Sequence, residues 1–267
     1  MKMSACYIIY DDYEFLDMSL ESIYETVDKV YFLLNTKPWR GELRPDTQAK
    51  TKAYLEKICL KFNKCQLIEK TFDVEAVQRN FGLELSKKDG YKFQLIVDSD
   101  EIYISSELQN LKNILNNNLT VPAVHATWNT YWKLNPIYRI EPREAWNPLI
   151  IANVDQFLFH HIRDGITTDE YGIPHNQYIS YHIPPHVLLL HHLSYARDDK
   201  YMLEKVHTSA HSHEFLKTWY EEIWLKWTPD MKNLHPVIPA QYYSAVKQEI
   251  SELPQLIQKF FKSKINE

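Results

Sequence analysis

Four short apolar runs, at residues 5–10, 30–34, 66–69 and 93–97, alternate with segments whose apolar side chains recur at helical spacing. No other feature of the chain limits its fold as much. Between the first two runs, Leu16, Leu20, Ile23 and Val27 form one stripe; between the second and third, residues 47–62 put Leu55, Ile58, Cys59 and Phe62 on a shared face. Before the fourth, Val74, Val77, Phe81 and Leu85 mark another helix. Strands joined through helices by short links run parallel, with right-handed crossovers. In such sheets ligands gather beyond the carboxyl ends of the strands, so Tyr10, Asn35 and Asp98 are expected to converge on one crevice.

The pattern changes after Asp100. Leu108, Leu111 and Leu115 continue a helical stripe into the asparagine run at 116–118, and residues 124–132, 137–140 and 149–152 then read as short aromatic-rich strands punctuated by Pro136, Pro142 and Pro148. They are expected to add an antiparallel portion to the parallel sheet. Residues 165–177, polar and carrying Gly172 and Pro174, read as a mobile loop, and residues 187–190 as a buried strand ending in His191 and His192. Two helices, at 198–212 and 214–227, a proline-rich connection and a terminal helix follow.

With 267 residues, 45% of them hydrophobic, the chain can bury a substantial core. A net charge of -5 argues against nucleic acid as a partner. Only 5 glycines occur, and no glycine-rich phosphate loop of the dinucleotide or P-loop kind is present. Cys6, Cys59 and Cys65 lack metal-ligand spacing and suit a reducing compartment as buried thiols, although Cys59 and Cys65 could pair in an oxidising one. The N-terminal apolar run is too short for a signal peptide, and no stretch approaches the ~18 apolar residues of a membrane span. A soluble cytoplasmic protein is expected. Its apolar and basic segment at 256–264, LIQKFFKSK, is suited either to peripheral contact with an anionic membrane or to docking on its own domain.

The fourth apolar run breaks into Asp98, Ser99, Asp100 and Glu101. Carboxylates at a strand end supply hard oxygen ligands for a divalent cation carrying substrate phosphates. The competing reading is an acidic turn that caps the next helix. Three segments, IIYDDYEFLDMSLESIYETVDKVYFLLNT, QRNFGLEL and VDSDE, occur in an order and spacing that resemble the family 2 glycosyltransferases of the GT-A fold over about the first 105 residues. The segment HHLSYARDDKYMLEKV is similar to the C-terminal part of some members.

That resemblance implies an α/β, GT-A-like (Rossmann-like), mostly parallel sheet flanked by helices, with an antiparallel addition and a helical C-terminal region. It implies a catalytic domain over 1–194, with a nucleotide-sugar half at 1–105, an acceptor half at 106–194, and an extension at 195–267. The implied activity is transfer of a sugar from a nucleotide-sugar donor, a uridine diphosphate sugar, to a glycan or glycoconjugate acceptor, with Mn²⁺ or Mg²⁺. By resemblance Asp100 binds the metal, Asp98 binds it or contacts the ribose, Ser99 spaces them, and His192 completes the site with His191 as the alternate. The family usually has Asp where Asn35 stands, which bears on base and ribose recognition.

Arg79 suits either the phosphates or an acidic partner within the protein, and Tyr10 and Trp39 either stack on the base or pack. Inversion by direct displacement needs a carboxylate base. The candidates are Glu144, Asp155, Asp164, Asp169 and Glu170, with Asp164 chosen because FLFHHIRDG resembles the family segment that supplies it. Trp128, Trp132 and Trp146 could form an acceptor platform or pack in the core. Two rivals remain: a nucleotidyltransferase, against which the sequence YDDYEF stands where a basic glycine-rich loop would lie, and a non-catalytic glycan-binding protein.

Overall fold

The computed structural model describes residues 1–118, 120–169, 171–175, 177–208 and 212–265. Its first half alternates β1 (Met3–Ile9), α1 (Leu16–Ile23), β2 (Lys29–Asn35), α2 (Pro45–Lys61), β3 (Cys65–Lys70), α3 (Glu75–Lys88) and β4 (Phe93–Val97). Strand β1 pairs in parallel with β2 on one side and β4 on the other, and β3 follows β2. Being central and covered on both faces, β1 and β4 are apolar almost throughout, which is why they read as unbroken runs. The fold class is the expected one, α/β with a mostly parallel sheet flanked by helices.

Helix α3 departs from its expected face. Val74 and Val77 are more than half exposed, whereas Gln78, Arg79, Gly82 and Ser86 are buried. The helix lies on a polar strip of the sheet: Gln78 Nε2 donates to the Leu33 carbonyl at 2.7 Å, and Ser86 bonds Ser4 and Gln94, each at 2.7 Å. Its close approach depends on Gly82, where a Cβ would stand 2.7 Å from Cys6 Sγ. Overpacking of this kind costs about 1–3 kcal/mol against the ~0.5–1 kcal/mol that alanine gains in a helix. Gly82→Ala is therefore expected to lower stability by roughly 1 kcal/mol, read as a lower urea midpoint. An unchanged midpoint would mean that the packing there is slack.

Beyond β4 the chain crosses between two sheets. Strand β5 (Glu101–Ile102) precedes α4 (Ser105–Asn116), whose Leu108, Leu111 and Leu115 are buried as the spacing indicated. The segment read as one strand at 124–132 is two, β6 (Ala123–Ala126) and β7 (Trp128–Leu134), and the chain changes sheets at Thr127. Strands β8 (Ile137–Glu141), β9 (Leu149–Asn153), β10 (Phe157–Phe159), β11 (Gly165–Thr167), β12 (Tyr181–Ile183) and β13 (Leu190–Tyr195) follow. The large sheet has the order β12-β6-β9-β4-β1-β2-β3, in which β9 runs antiparallel to both neighbours. Part of the segment at 165–177 is therefore strand, since β11 pairs with β10 as a hairpin.

The C-terminal region carries α5 (Asp199–Thr208) and α6 (Gln255–Ile265), and between them strand β14 (Ser244–Lys247). The second sheet runs β14-β8-β7-β13-β5. The stretch expected to be a helix at 214–227 forms only a short π-helical turn, Tyr220–Trp224, over the Trp132 and Tyr195 cluster. The apolar face of α6 is spent within the protein: Ile257 and Phe261 are buried with Phe15, Met18, Tyr131 and Leu193. No helix among the described residues is long and apolar enough to cross a membrane. Cys6, Cys59 and Cys65 are free thiols.

Candidate active site

A cleft of about 720 Å³ opens where the two sheets meet, beyond the carboxyl ends of β1 and β4. Its volume lies within the range of small-molecule sites. Asp98, Ser99 and Asp100 form the link itself, since β4 ends at Val97 in the large sheet and β5 begins at Glu101 in the second. The acidic turn is therefore held from both sides.

Asp98 is anchored by two guanidiniums. Arg79 Nη2 donates to Oδ1 at 3.1 Å and Arg163 Nη1 to Oδ2 at 3.2 Å. Burial would raise the Asp98 carboxyl, but Arg79 and Arg163 outweigh it and hold the group below its ordinary range. Arg79 is fixed in turn by Glu75 at 2.7 Å. Arg163 also pairs with Glu101 and donates to the Leu149 carbonyl at 2.8 Å and the Ile96 carbonyl at 3.2 Å, so it ties β9, β4 and the acidic turn together. Of the two readings of Arg79, the intramolecular acidic partner is the one that the structure displays.

Asp100 faces a different set of groups. Its Oδ1 lies 3.8 Å from His192 Nε2, and its Oδ2 lies 3.6 Å from both Arg197 Nη2 and Lys205 Nζ. Burial opposes ionisation of Asp100, but these neighbours hold its carboxyl below the usual range. His192 is pushed down to about 4 by burial, against the pull of Asp100, so it is neutral near pH 7 with a ring lone pair free to bind a metal. The ring stacks on Trp128, with centroids 4.2 Å apart and planes within 4°. Arg197 is held in place by Asp12 at 2.6 Å and Glu14 at 2.9 Å.

A hard divalent cation would find these donors only as an open site. Asp100 and His192 present one carboxylate oxygen and one imidazole nitrogen side by side, and substrate oxygens or water would fill the other positions. Among the described residues no cluster of three or more His, Cys, Asp or Glu is placed to hold an ion alone. Asp98, with each oxygen on a guanidinium, is arranged for a role beside that pair rather than within it.

Strand alternation separates the two histidines. His192 faces the cleft, whereas His191 turns to the opposite side, where its Nδ1 lies 2.8 Å from the Tyr131 hydroxyl and burial pushes the ring down to about 3. Both lie inside β13, not after a strand at 187–190. Trp39 borders the cleft and donates from Nε1 to Gln78 Oε1 at 2.9 Å. Tyr10 and Asn35 do not line it. The Tyr10 hydroxyl accepts the Arg44 amide at 2.7 Å, and the Asn35 side chain exchanges two hydrogen bonds with the Phe72 backbone at 2.9 and 3.0 Å. Asn35 therefore clasps the chain after β3, and both of its amide polar atoms are engaged there.

Asp164 lies on the rim, in the tight turn between β10 and β11. It is exposed, and its Oδ1 accepts the Gly165 amide at 2.7 Å. Asp155 is paired with Lys87 and Lys92, each at 3.1 Å, away from the cleft, and Asp169 accepts the Tyr171 and Ile173 amides within its own loop. Glu170 is outside the described residues. Among the four candidates that are described, Glu144 alone is a buried carboxylate on the cleft wall. Of the tryptophans, Trp132 is core, while Trp128 and Trp146 border the cleft edge to face at 5.2 Å, with Trp146 45% exposed.

Arg163, Arg197 and Lys205 escaped the sequence reading. Arg163 is the one cation in FLFHHIRDG, and the other two follow the paired histidines in a segment already singled out. A cation in an otherwise apolar or aromatic stretch, downstream of an acidic strand end, is the signal that could have found them.

No family model and no curated protein matches the chain. Among solved structures it is similar to S. aureus TarS 1–349, with a TM-score of 0.38 and 16% identity over 49% of this chain and 36% of that one. The same protein in complex with UDP-GlcNAc gives 0.37 and 17%, over 49% and 35%, and in complex with UDP 0.38 and 16%, over 49% and 36%. The chain spans about a third of the length of those structures. A likeness of this extent bears on neither substrate nor chemistry.

Proposed function

We propose that the chain is a glycosyltransferase that moves a sugar from a nucleotide-sugar donor, a uridine diphosphate sugar, to a glycan or glycoconjugate acceptor by direct inverting displacement. One observation carries this reading: Asp100, at the end of a parallel strand, and His192, far away in sequence on the second sheet, meet 3.8 Å apart on the wall of one cleft. Mn²⁺ or Mg²⁺ held there would supply Lewis-acid neutralisation of the departing diphosphate. Asp100 stays ionised beside Arg197 and Lys205, and those two cations face the same space, where they would bind phosphate oxygens. Arg79 and Arg163 orient Asp98 towards the ribose. Trp39, fixed by Gln78, forms a flat wall suited to the base.

The reading is tested with a panel of uridine, guanosine, adenosine and cytidine diphosphate sugars in the presence of Mn²⁺. A donor at 100 times its Kd adds about 2.7 kcal/mol of stability, which raises the melting temperature of a chain this size by roughly 5 °C or more. Slow hydrolysis of the same donor is expected alongside. If no nucleotide sugar shifts the melting temperature, with or without metal, the enzyme reading fails.

A further inference from the structure

We propose that Glu144 is the general base of the transfer, taking the proton of the acceptor hydroxyl in place of the expected Asp164; this rests on the glycosyltransferase reading above. Glu144 lies on the loop between β8 and β9, in the cleft wall, and is 8% exposed. Its partners are neutral donors: Thr130 Oγ1 donates to Oε1, and the Tyr242 phenol and the Trp128 indole face the same carboxylate. The other buried carboxylates of the cleft all sit against cations, Glu75 on Arg79 and Asp100 beside Arg197 and Lys205. Among the described residues no Lys or Arg forms an ion pair with Glu144. A carboxylate kept from water without a counter-ion is a cost to folding, and one placed in a cleft is positioned to accept a proton.

The surroundings place this carboxylate beside the proposed transfer centre. Thr130 on β7 pairs in register with His192 on the parallel neighbour β13, so the two side chains share a face about 5 Å apart. Trp128, two residues before Thr130, stacks on His192, and Trp146, two residues after Glu144, meets Trp128 edge to face. Aromatic surface for a sugar ring, a carboxylate and the Asp100–His192 pair thus form one continuous wall. Asp164, by contrast, is exposed and spends a carboxylate oxygen on closing its own turn.

In the step proposed, the acceptor oxygen bonds to the anomeric carbon of the donor while its proton passes to Glu144. The bond from that carbon to the diphosphate breaks, and its electron pair leaves on the nucleoside diphosphate. Glu144 then releases the proton to solvent. Burial pushes the Glu144 carboxyl up to about 7, a value suited to accepting and releasing a proton near neutrality. The titratable groups facing it are Tyr242 and Tyr195, both raised by burial and so neutral there.

The test uses the full chain with Mn²⁺, with UDP-glucose and UDP-N-acetylglucosamine as donors and water standing in for the acceptor. Wild-type hydrolysis is expected to rise with pH through about 7. Glu144→Gln should lose roughly 10²–10⁴-fold and its pH profile should become flat, with UDP affinity unchanged. Because the folded pKa lies above the ordinary 4.5, the ionised carboxylate opposes folding at pH 8 and ceases to do so below about pH 4.5. The Gln variant should accordingly melt above wild type at pH 8 and not at pH 4. A variant that binds UDP and keeps both its rate and its ascending limb, or a loss carried by Asp164→Asn instead, overturns the assignment and leaves the glycosyltransferase reading standing. Failure of the wild type to bind any uridine nucleotide removes both.

Discussion

Arg163→Ala is expected to destabilise the chain by about 3–5 kcal/mol, the cost of removing one partner from a buried charge network. This guanidinium pairs with Asp98 and Glu101 and donates to the carbonyls of Ile96 and Leu149, so it joins the acidic turn, β4 and β9. Glu101 is fully buried and would be left without its cation. Burial already raises the Glu101 carboxyl, against the pull of Arg163, so its folded pKa lies above its unfolded one. Without Arg163 the ionised form costs more still. The penalty should be largest above pH 7 and shrink as the pH falls and Glu101 takes up a proton. Urea denaturation at pH 5.5 and pH 8 measures both. A loss below about 1 kcal/mol at pH 8 would mean that Arg163 is a surface pairing and not a tie.

Asp100→Asn should behave in the opposite way, leaving the fold and removing the chemistry. Its cationic neighbours keep other partners: Arg197 retains Asp12 and Glu14, and Lys205 retains the Ser194 carbonyl at 3.2 Å. The stability that the ionised carboxylate lends above its ordinary range is lost, but less is expected to go than with Arg163. Transfer, however, should fall by roughly 10³-fold, ~4 kcal/mol of transition-state stabilisation, because an amide neither carries the charge nor binds a hard cation comparably. Excess Mn²⁺ should not restore it. His192→Ala removes the neutral donor and should act in the same direction.

The parallel half of the fold was legible because its strands are buried on both faces and leave a continuous apolar signature: the run at 5–10 is β1 and that at 30–34 is β2. The helices between them were legible by period, but the face of α3 was not, since Gln78, Arg79 and Ser86 are buried by hydrogen bonds that apolar spacing does not register. Nothing in the string from Ala123 to Leu134 marks the change of sheet at Thr127, because AVHA runs into WNTYWKL across one residue with no glycine or proline between them.

The acidic turn could be singled out because its meaning is local, a strand that ends in carboxylates. Glu144 and Arg163 acquire theirs only from what they are buried against, Thr130, Tyr242 and Trp128 for one and Asp98 with Glu101 for the other. Asn35 shows the converse. It stands at a strand end, as a ligand residue would, yet its amide is consumed by the Phe72 backbone.

The most direct measurement is a calorimetric titration of UDP into the wild-type chain and into Asp100→Asn, each with Mn²⁺ and with EDTA. Binding by the wild type is expected to strengthen at least tenfold with Mn²⁺, about 1.4 kcal/mol, and the Asn variant is expected to show no such gain. Absence of UDP binding to the wild type under both conditions, or an equal Mn²⁺ response in the two proteins, would contradict a nucleotide-sugar site built on Asp100.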